Sequence, residues 1–452
     1  MTDRSNRQRE ALGEIFAAAL AAVAPDAAVT RHVRLADGGR RLEAGGRSWD
    51  LSRGRVRVVG AGKGAAPMAQ ALEKLLGAHI DEGFVVVKYG HHLPLVHISI
   101  AQAAHPVPDA AGVAAATRIL EIARGCGPGD LLICLLTGGA SALTVAPAPG
   151  LSLEDLKETT NLLLQCGAAI NEVNAVRKHL SSLGGGQLAA AANGADVLGI
   201  IVSDVVGDAL DVIASGPTSP DPSTFGQCLE ILQRFHILGR VPAPARERLE
   251  AGGAGLVAET PKPGDPLFGR VCNVLAATNR QALEAAAARA EALGMEARIL
   301  TDSLTGEARA VAAELVAEAR KVAATLTPGA RSVCLLAGGE TTVTLTGKGL
   351  GGRNQEMALA AALELEDVPG ISGIFAGTDG TDGPTDAAGG FADAGSVARM
   401  GGRDTALGFL ARNDSNAALL AAGDLLVTGP TRTNVMDLAA LLVEAPGAGG
   451  DA

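Results

Sequence analysis

Arg55-Val-Arg-Val-Val59 runs into Gly60-Ala-Gly62-Lys63-Gly64-Ala-Ala-Pro67, and the fold class follows from this junction. A short valine-rich run enters a glycine turn, and a proline stands near the first position of the helical pattern that follows. The same strand–turn–helix pattern recurs along the chain. Apolar runs at 84–88, 130–136, 197–202, 271–276, 297–300, 332–337 and 373–376 alternate with alanine-rich helical patterns at 67–76, 110–124, 153–168, 173–183, 280–293 and 306–326. Such alternation predicts an α/β fold with mostly parallel sheets sandwiched by helices. Sheets of that kind take ligands in the crevice beyond the carboxyl ends of their strands.

The chain has 452 residues, enough for two or three domains, and only eight Phe, one Trp and one Tyr, so its core must be built from Ala, Leu and Val. Thirty-eight Lys and Arg against 49 Asp and Glu leave a net charge of −11, which argues against a nucleic acid or an anionic membrane surface as the main target. The six cysteines form no CxxC pair and read as buried thiols of a reducing compartment. Near the N-terminus, Leu12, Ile15, Phe16, Leu20 and Val23 recur at helical spacing, and Glu10 and Glu14 interrupt the apolar run; an amphipathic helix fits better than a signal peptide. No run approaches the roughly 20 apolar residues that span a bilayer, so a cytoplasmic location is expected. The Pro-, Ala- and Gly-rich segment 241–265 reads as a linker, dividing a domain over 1–250 from one over 265–445, and the tail from 445 reads as irregular.

Five loops could carry chemistry. Gly60, Gly62 and Gly64 fix one lysine, Lys63, at a helix start that favours an anion. The GxGxG spacing and the Lys88-Tyr89 end of the next strand depart from a dinucleotide fingerprint, which would place a ribose-binding acid there. Thr137-Gly138-Gly139-Ala140-Ser141 suits a phosphate or carboxylate cradle, though a plain strand–helix connection fits as well. Asp204 and Asp208 leave a buried strand four residues apart and could hold Mg²⁺, or merely cap a turn. Gly339-Glu340 ends another strand, and a glycine-rich loop then delivers Arg353 and Asn354 to a helix start, where the guanidinium suits a carboxylate or phosphate. Asp379, Asp382 and Asp386 suit a cation site or a flexible turn, without EF-hand spacing. The histidines near 91–105 read as loop residues, and Arg177-Lys178-His179 as a solvated helix face.

In order along the chain, GAGKGA, HPVPDAAG, LLTGGASAL, INEVNAVRKHLS, IVSDVVGD, IASGPTSPD, GGETTVT, GGRNQE and AGTDGTDG resemble the type 2 glycerate kinases, with a MOFRL region over about 332–440. The resemblance covers about residues 10 to 440. It implies a Rossmann-like larger N-terminal domain, a smaller α/β domain, and an active site in the cleft between them. It implies ATP- and Mg²⁺-dependent phosphorylation of D-glycerate at the 2-hydroxyl, with Lys63 at the phosphoryl group and Arg353 as the cleft arginine. Asp204, Asp208 and Asp379 are its candidate metal ligands, with Asp204 also a candidate base. Two positions depart from the family pattern: Gly184 stands where lysine is usual, and Gln102 where an acid is usual. The expected partners are D-glycerate and ATP, with a homodimer allowed. Rival readings are a nicotinamide-dependent hydroxypyruvate or tartronate semialdehyde reductase and a non-enzymatic anion or nucleotide sensor.

Overall fold

In the computed structural model, which describes residues 3–445, the chain divides into two compact units. One comprises Pro25–Ser203 and Asp208–Ala276; the other comprises Met1–Ala24, Asp204–Gly207 and Ala277–Ala452. All but the first residue of the tail expected to be irregular lies outside the described residues.

The first unit is organised by a six-stranded sheet in the order Ile98–Ala103, Ile80–Lys88, Val56–Ala61, Leu131–Leu136, Asp196–Val202, Val271–Ala277. Counted along the chain this is the doubly wound order 3-2-1-4-5-6, and its first five strands pair in parallel. Val56–Ala61 and Leu131–Leu136 are buried at every position. They lie at the centre of a sheet covered on both faces, which is why they read as continuous apolar runs rather than alternating ones. A small antiparallel sheet, Val33–Ala36, Arg41–Ala44 and Arg47–Asp50, precedes it and had no clear signal in the sequence.

In the second unit the sheet runs Glu296–Leu304, Val333–Gly339, Asp437–Val443, Ile371–Gly377, Gly389–Asp393, Leu425–Leu426. Only the first pair is parallel; the other four are antiparallel. The α/β architecture is as expected, but this sheet is mixed, because the chain's last strand returns between two others and runs against both. Helices Ala308–Thr325 and Arg353–Leu365 cover one face. The latter is buried at every residue except Arg353 and Glu364, and its alanines let neighbours close in from all sides.

The opposite face is covered by helices Asp3–Ala22 and Asn279–Ala292. The N-terminal helix is amphipathic as expected, but it belongs with the C-terminal half of the chain. Leu12, Ile15, Phe16 and Ala19 are buried. Polar contacts fix the same helix: Gln8 accepts from the Ser372 hydroxyl (2.5 Å), Ser5 donates to Asp393 (2.8 Å), and Arg9 pairs with both Asp393 and the fully buried Asp424. Arg399 shares those two carboxylates, so neither buried charge is left alone. The segment expected to be a linker contains the helix Ala243–Gly253, and the division between units falls at 276/277 instead. The apolar stripe of the first helix finds its partner surface late in the chain, and no local pattern can announce that.

Phe16→Ala should therefore cost about 3–5 kcal/mol of stability, as for a buried ring elsewhere, measured by urea unfolding followed by circular dichroism.

Candidate active site

In the first unit the chain winds outward in opposite directions from Val56–Ala61 and Leu131–Leu136, and the crevice at their carboxyl ends is where doubly wound sheets bind ligands. Two of the loops picked out by sequence follow these strands, and they lock together. The Gly62 N–H donates to the Val86 carbonyl (3.1 Å), Lys63 N–H to the Gly138 carbonyl (3.0 Å) and Gly64 N–H to Thr137 Oγ1 (3.0 Å). Gly62 has φ +131°, and a Cβ there would lie 2.0 Å from Thr137 Oγ1, so only glycine lets the loops cross. Gly60 is a close approach too, its missing Cβ falling 2.7 Å from the Leu135 carbonyl.

This lock divides the work differently from the sequence reading. The N–H groups of Gly62, Lys63 and Gly64 are spent on the neighbouring chain, so these glycines shape the turn that presents Lys63. The N–H groups of Gly138 and Gly139, by contrast, have no acceptor among the described residues. Gly139 stands at φ +88° directly before the short helix Ala140–Leu143. These are the backbone donors that can meet an oxyanion. Ser141 Oγ lies 2.9 Å from Ser215 Oγ, which ties the cradle to the 213–216 turn. The point where a Gly139 Cβ would sit is 3.0 Å from the His105 ring and 3.6 Å from Lys63 Cγ. His105, which read as an ordinary loop histidine, thus lies beside Lys63.

The acidic residues separate in role. Asp208 is at φ +54°, and its Oδ1 is buried with no hydrogen-bond partner among the described residues. Asp204 follows the strand Asp196–Val202. Among the described residues no three His, Cys, Asp or Glu side chains gather as a metal site. Mg²⁺ needs only one or two protein carboxylates, taking its other oxygens from water and phosphate, and the orphaned oxygen of Asp208 fits that demand. Asp379 accepts from Thr381 N–H and hydroxyl in a local turn (3.0 and 3.1 Å). Asp382 caps the helix Arg353–Leu365, accepting from the Asn354 and Gln355 backbone N–H groups and from both their side chains. Asn354 is buried in that capping network.

In the second unit, Arg353 is held by carboxylates. Its Nε and Nη2 donate to the two oxygens of Asp437 (2.5 and 2.9 Å), and Nη1 lies 2.8 Å from Glu340. Gly339, at φ +142°, abuts the Leu304 backbone and turns Glu340 toward this pair. These carboxylates raise the Arg353 pKa further and keep it charged at a helix start, where a cation would otherwise be disfavoured. Burial pushes the Asp437 carboxyl up to about 6, so it is ionised at neutral pH and protonates in mild acid. Asp437 had no signal in the sequence; it meets Arg353 only because Asp437–Val443 inserts between Val333–Gly339 and Ile371–Gly377.

The family described as a domain of unknown function, DUF4147, matches residues 11–250, and the MOFRL family matches 333–437. A glycerate 2-kinase of Pyrococcus horikoshii is 40% identical over 94% of this chain and 95% of its own length. The solved structure of a glycerate kinase from Thermotoga maritima is 38% identical and superposes with a TM-score of 0.85 over 97% of this chain and 100% of that one. The chain belongs to the glycerate kinase family. A relative from Agrobacterium vitis, named a putative hydroxypyruvate reductase, is 40% identical over 98% of this chain and 96% of its own length.

One expectation about this glycerate kinase family chain is overturned. Lys178 and His179 are not on a solvated face; they are 3% and 1% exposed. Lys178 pairs with Asp211 (3.3 Å) and Asp221 (3.0 Å), and His179 Nε2 meets Glu259 (3.0 Å). Asp221 also accepts from Ser223 and Thr260, and these bonds with Lys178 hold its pKa below the usual carboxylate range despite burial. Asp221 and Glu259 lie far along the sequence, so helical periodicity alone could not show that this face would be covered.

Because Asp437 titrates near 6 in the fold and at its ordinary 3.8 when unfolded, the native state gains a proton first as pH falls, and this group adds stability on acidification through that window. Asp437→Asn removes the effect. Its thermal midpoint should hold a constant offset from the wild type above the window and fall behind as pH drops through it, as read in parallel melts.

Proposed function

We propose that this chain transfers the γ-phosphoryl group of ATP to the 2-hydroxyl of D-glycerate, giving 2-phospho-D-glycerate and ADP. The observation that carries the reading is the locked loop pair at the switch point: one lysine and two unspent backbone N–H groups converge where a doubly wound sheet receives a phosphorylated ligand. Membership of the glycerate kinase family supplies the reaction class.

In such a transfer the acceptor hydroxyl oxygen bonds to the γ-phosphorus as the bond to the β–γ bridging oxygen breaks. The protein contributes positioning and charge neutralisation. Lys63 meets negative charge on the transferring oxygens, and the Gly138 and Gly139 N–H groups hold phosphate oxygens beside it. Mg²⁺, held through Asp208, supplies further neutralisation of phosphate charge when bound. Asp204 is the candidate to take the hydroxyl proton. Within the second unit, Glu340 and Asp437 position the Arg353 guanidinium at a helix start. The second strand of the doubly wound sheet ends in Lys88, where a nicotinamide-dependent reductase of this topology would need an acid for the ribose, which disfavours the reductase reading. The six cysteines are all free and fit a reducing, cytoplasmic setting. Among the described residues no single helix is long and apolar enough to cross a membrane.

Incubation with ATP and D-glycerate should release ADP and give a phosphorus NMR signal for phosphate on the secondary carbon; consumption of NADH with hydroxypyruvate and no ADP would overturn the proposal. Lys63→Ala should lower kcat by about 10²–10³, the loss expected on removing one donor to transition-state charge, and near-full turnover would remove Lys63 from the mechanism.

A further inference from the structure

The turn Ile213–Ser215 and the glycine after it run through three consecutive left-handed residues, Ala214 (φ +54°), Ser215 (φ +62°) and Gly216 (φ +59°). Glycine takes that conformation freely, and Gly216 is needed for space as well, since a Cβ there would lie 2.8 Å from the Asp211 backbone. Alanine and serine adopt it at a cost, and such residues persist where the surroundings over-determine them, often at ligand clamps. Two neighbouring segments do so here. Gly185 N–H donates to the Ser215 carbonyl (2.8 Å) and Gly186 N–H to the Gly216 carbonyl (2.7 Å). Lys178, anchored on the fully buried Asp221 (3.0 Å), also reaches Asp211 just before the turn (3.3 Å).

What the turn presents is one hydroxyl. Ser215 Oγ lies 2.9 Å from Ser141 Oγ, at the far end of the Gly138–Ser141 loop. Both serines are half-buried, and among the described residues neither hydroxyl has a second partner. Two hydroxyls carry two protons and their mutual bond uses one, so the pair keeps one O–H to give. The Gly138 and Gly139 N–H groups, without acceptors among the described residues, bring the donors on loop and turn to three. Lys63 Cγ is 3.6 Å from the point where a Gly139 Cβ would sit, so the stem of a cation passes the same loop. On the other side, a Gly184 Cβ would sit 3.3 Å from Ser215 Cβ, and the lack of a side chain there keeps the serine from being crowded.

We infer that Ser215 is a phosphate-binding residue: it accepts the Ser141 O–H and donates its own to a phosphate oxygen of ATP held by the Gly138–Ser141 loop. The inference rests on the kinase reading and deepens it. If Ser141 supplied the outward proton it could do so unaided, and glycine at 215 would make the turn without strain. A serine kept in a left-handed conformation is accounted for when its own hydroxyl meets the ligand and Ser141 orients it. Phosphate is favoured over the carboxylate of the acceptor because a terminal phosphate offers three oxygens to donors spread over two segments, and a carboxylate only two.

Ser215→Gly removes the hydroxyl and the left-handed strain together, so the thermal midpoint of the free protein should hold or rise. Titration calorimetry of ATP into wild type and variant, without acceptor, should show affinity reduced about 10–100-fold, the range for one hydrogen bond to a charged group. Ser215→Ala keeps the Cβ and the strain and should lose as much, because the loss belongs to the hydroxyl. Ser141→Ala leaves the Ser215 proton free to donate and should lose less. In steady state the KM of Ser215→Gly for ATP should rise by a similar factor, with the KM for D-glycerate within about twofold. Unchanged ATP affinity in both Ser215 variants, a loss confined to D-glycerate, or a larger loss in Ser141→Ala than in Ser215→Gly would overturn the assignment. Turnover by the wild type tests the kinase reading separately, since ATP binding can be compared among these proteins whether or not ADP is formed.

Discussion

The candidate site depends on two loops that cross without room for a single Cβ. Thr137 holds the Gly64 N–H through its hydroxyl, the Gly138 carbonyl takes the Lys63 N–H, and Gly62 passes against Thr137 where any side chain would collide. The lock fixes the backbone of the lysine loop relative to the cradle, so the lysine starts from a fixed base although its own side chain is long. Rigid supports of this kind matter for phosphoryl transfer, where catalysis is largely a matter of placing charge. The lock also explains why one glycine loop donates nothing outward while the other keeps its donors.

Charge in the molecule is managed by pairing almost wherever it is buried. Arg9 and Arg399 share Asp393 and Asp424, Lys178 takes Asp211 and Asp221, and Arg353 takes Asp437 and Glu340. Breaking one partner of such a pair is costly because the survivor remains desolvated. Against this background Asp208 stands out as a carboxylate whose buried Oδ1 has no hydrogen-bond partner among the described residues. Exceptions to polar satisfaction are expected where a ligand completes the set.

Much of the first unit could be read directly from residues. Its central strands are continuous apolar runs because both faces of a parallel sheet are covered, and the glycine turns after them carry their own backbone requirement. The departures from sequence expectation have long-range causes. Lys178 and His179 are covered because Asp221 and Glu259 come over them from far along the chain, and the helix at 3–22 joins the second unit because its stripe meets strands more than 300 residues away. The mixed second sheet was missed because nothing in Asp437–Val443 says between which strands it will insert.

The strand–turn–helix grammar and the loops bearing Lys63 and Gly138–Ser141 are legible in the residues alone, because they rest on local backbone needs and short-range periodicity, while the family is legible through the resemblance of the ordered motifs. Three-dimensional packing settled which N–H groups stay unspent, that Arg353 is clamped by Asp437 and that Asp382 caps a helix. Each of those depends on which distant groups come within hydrogen-bond reach, and that is set by packing in three dimensions.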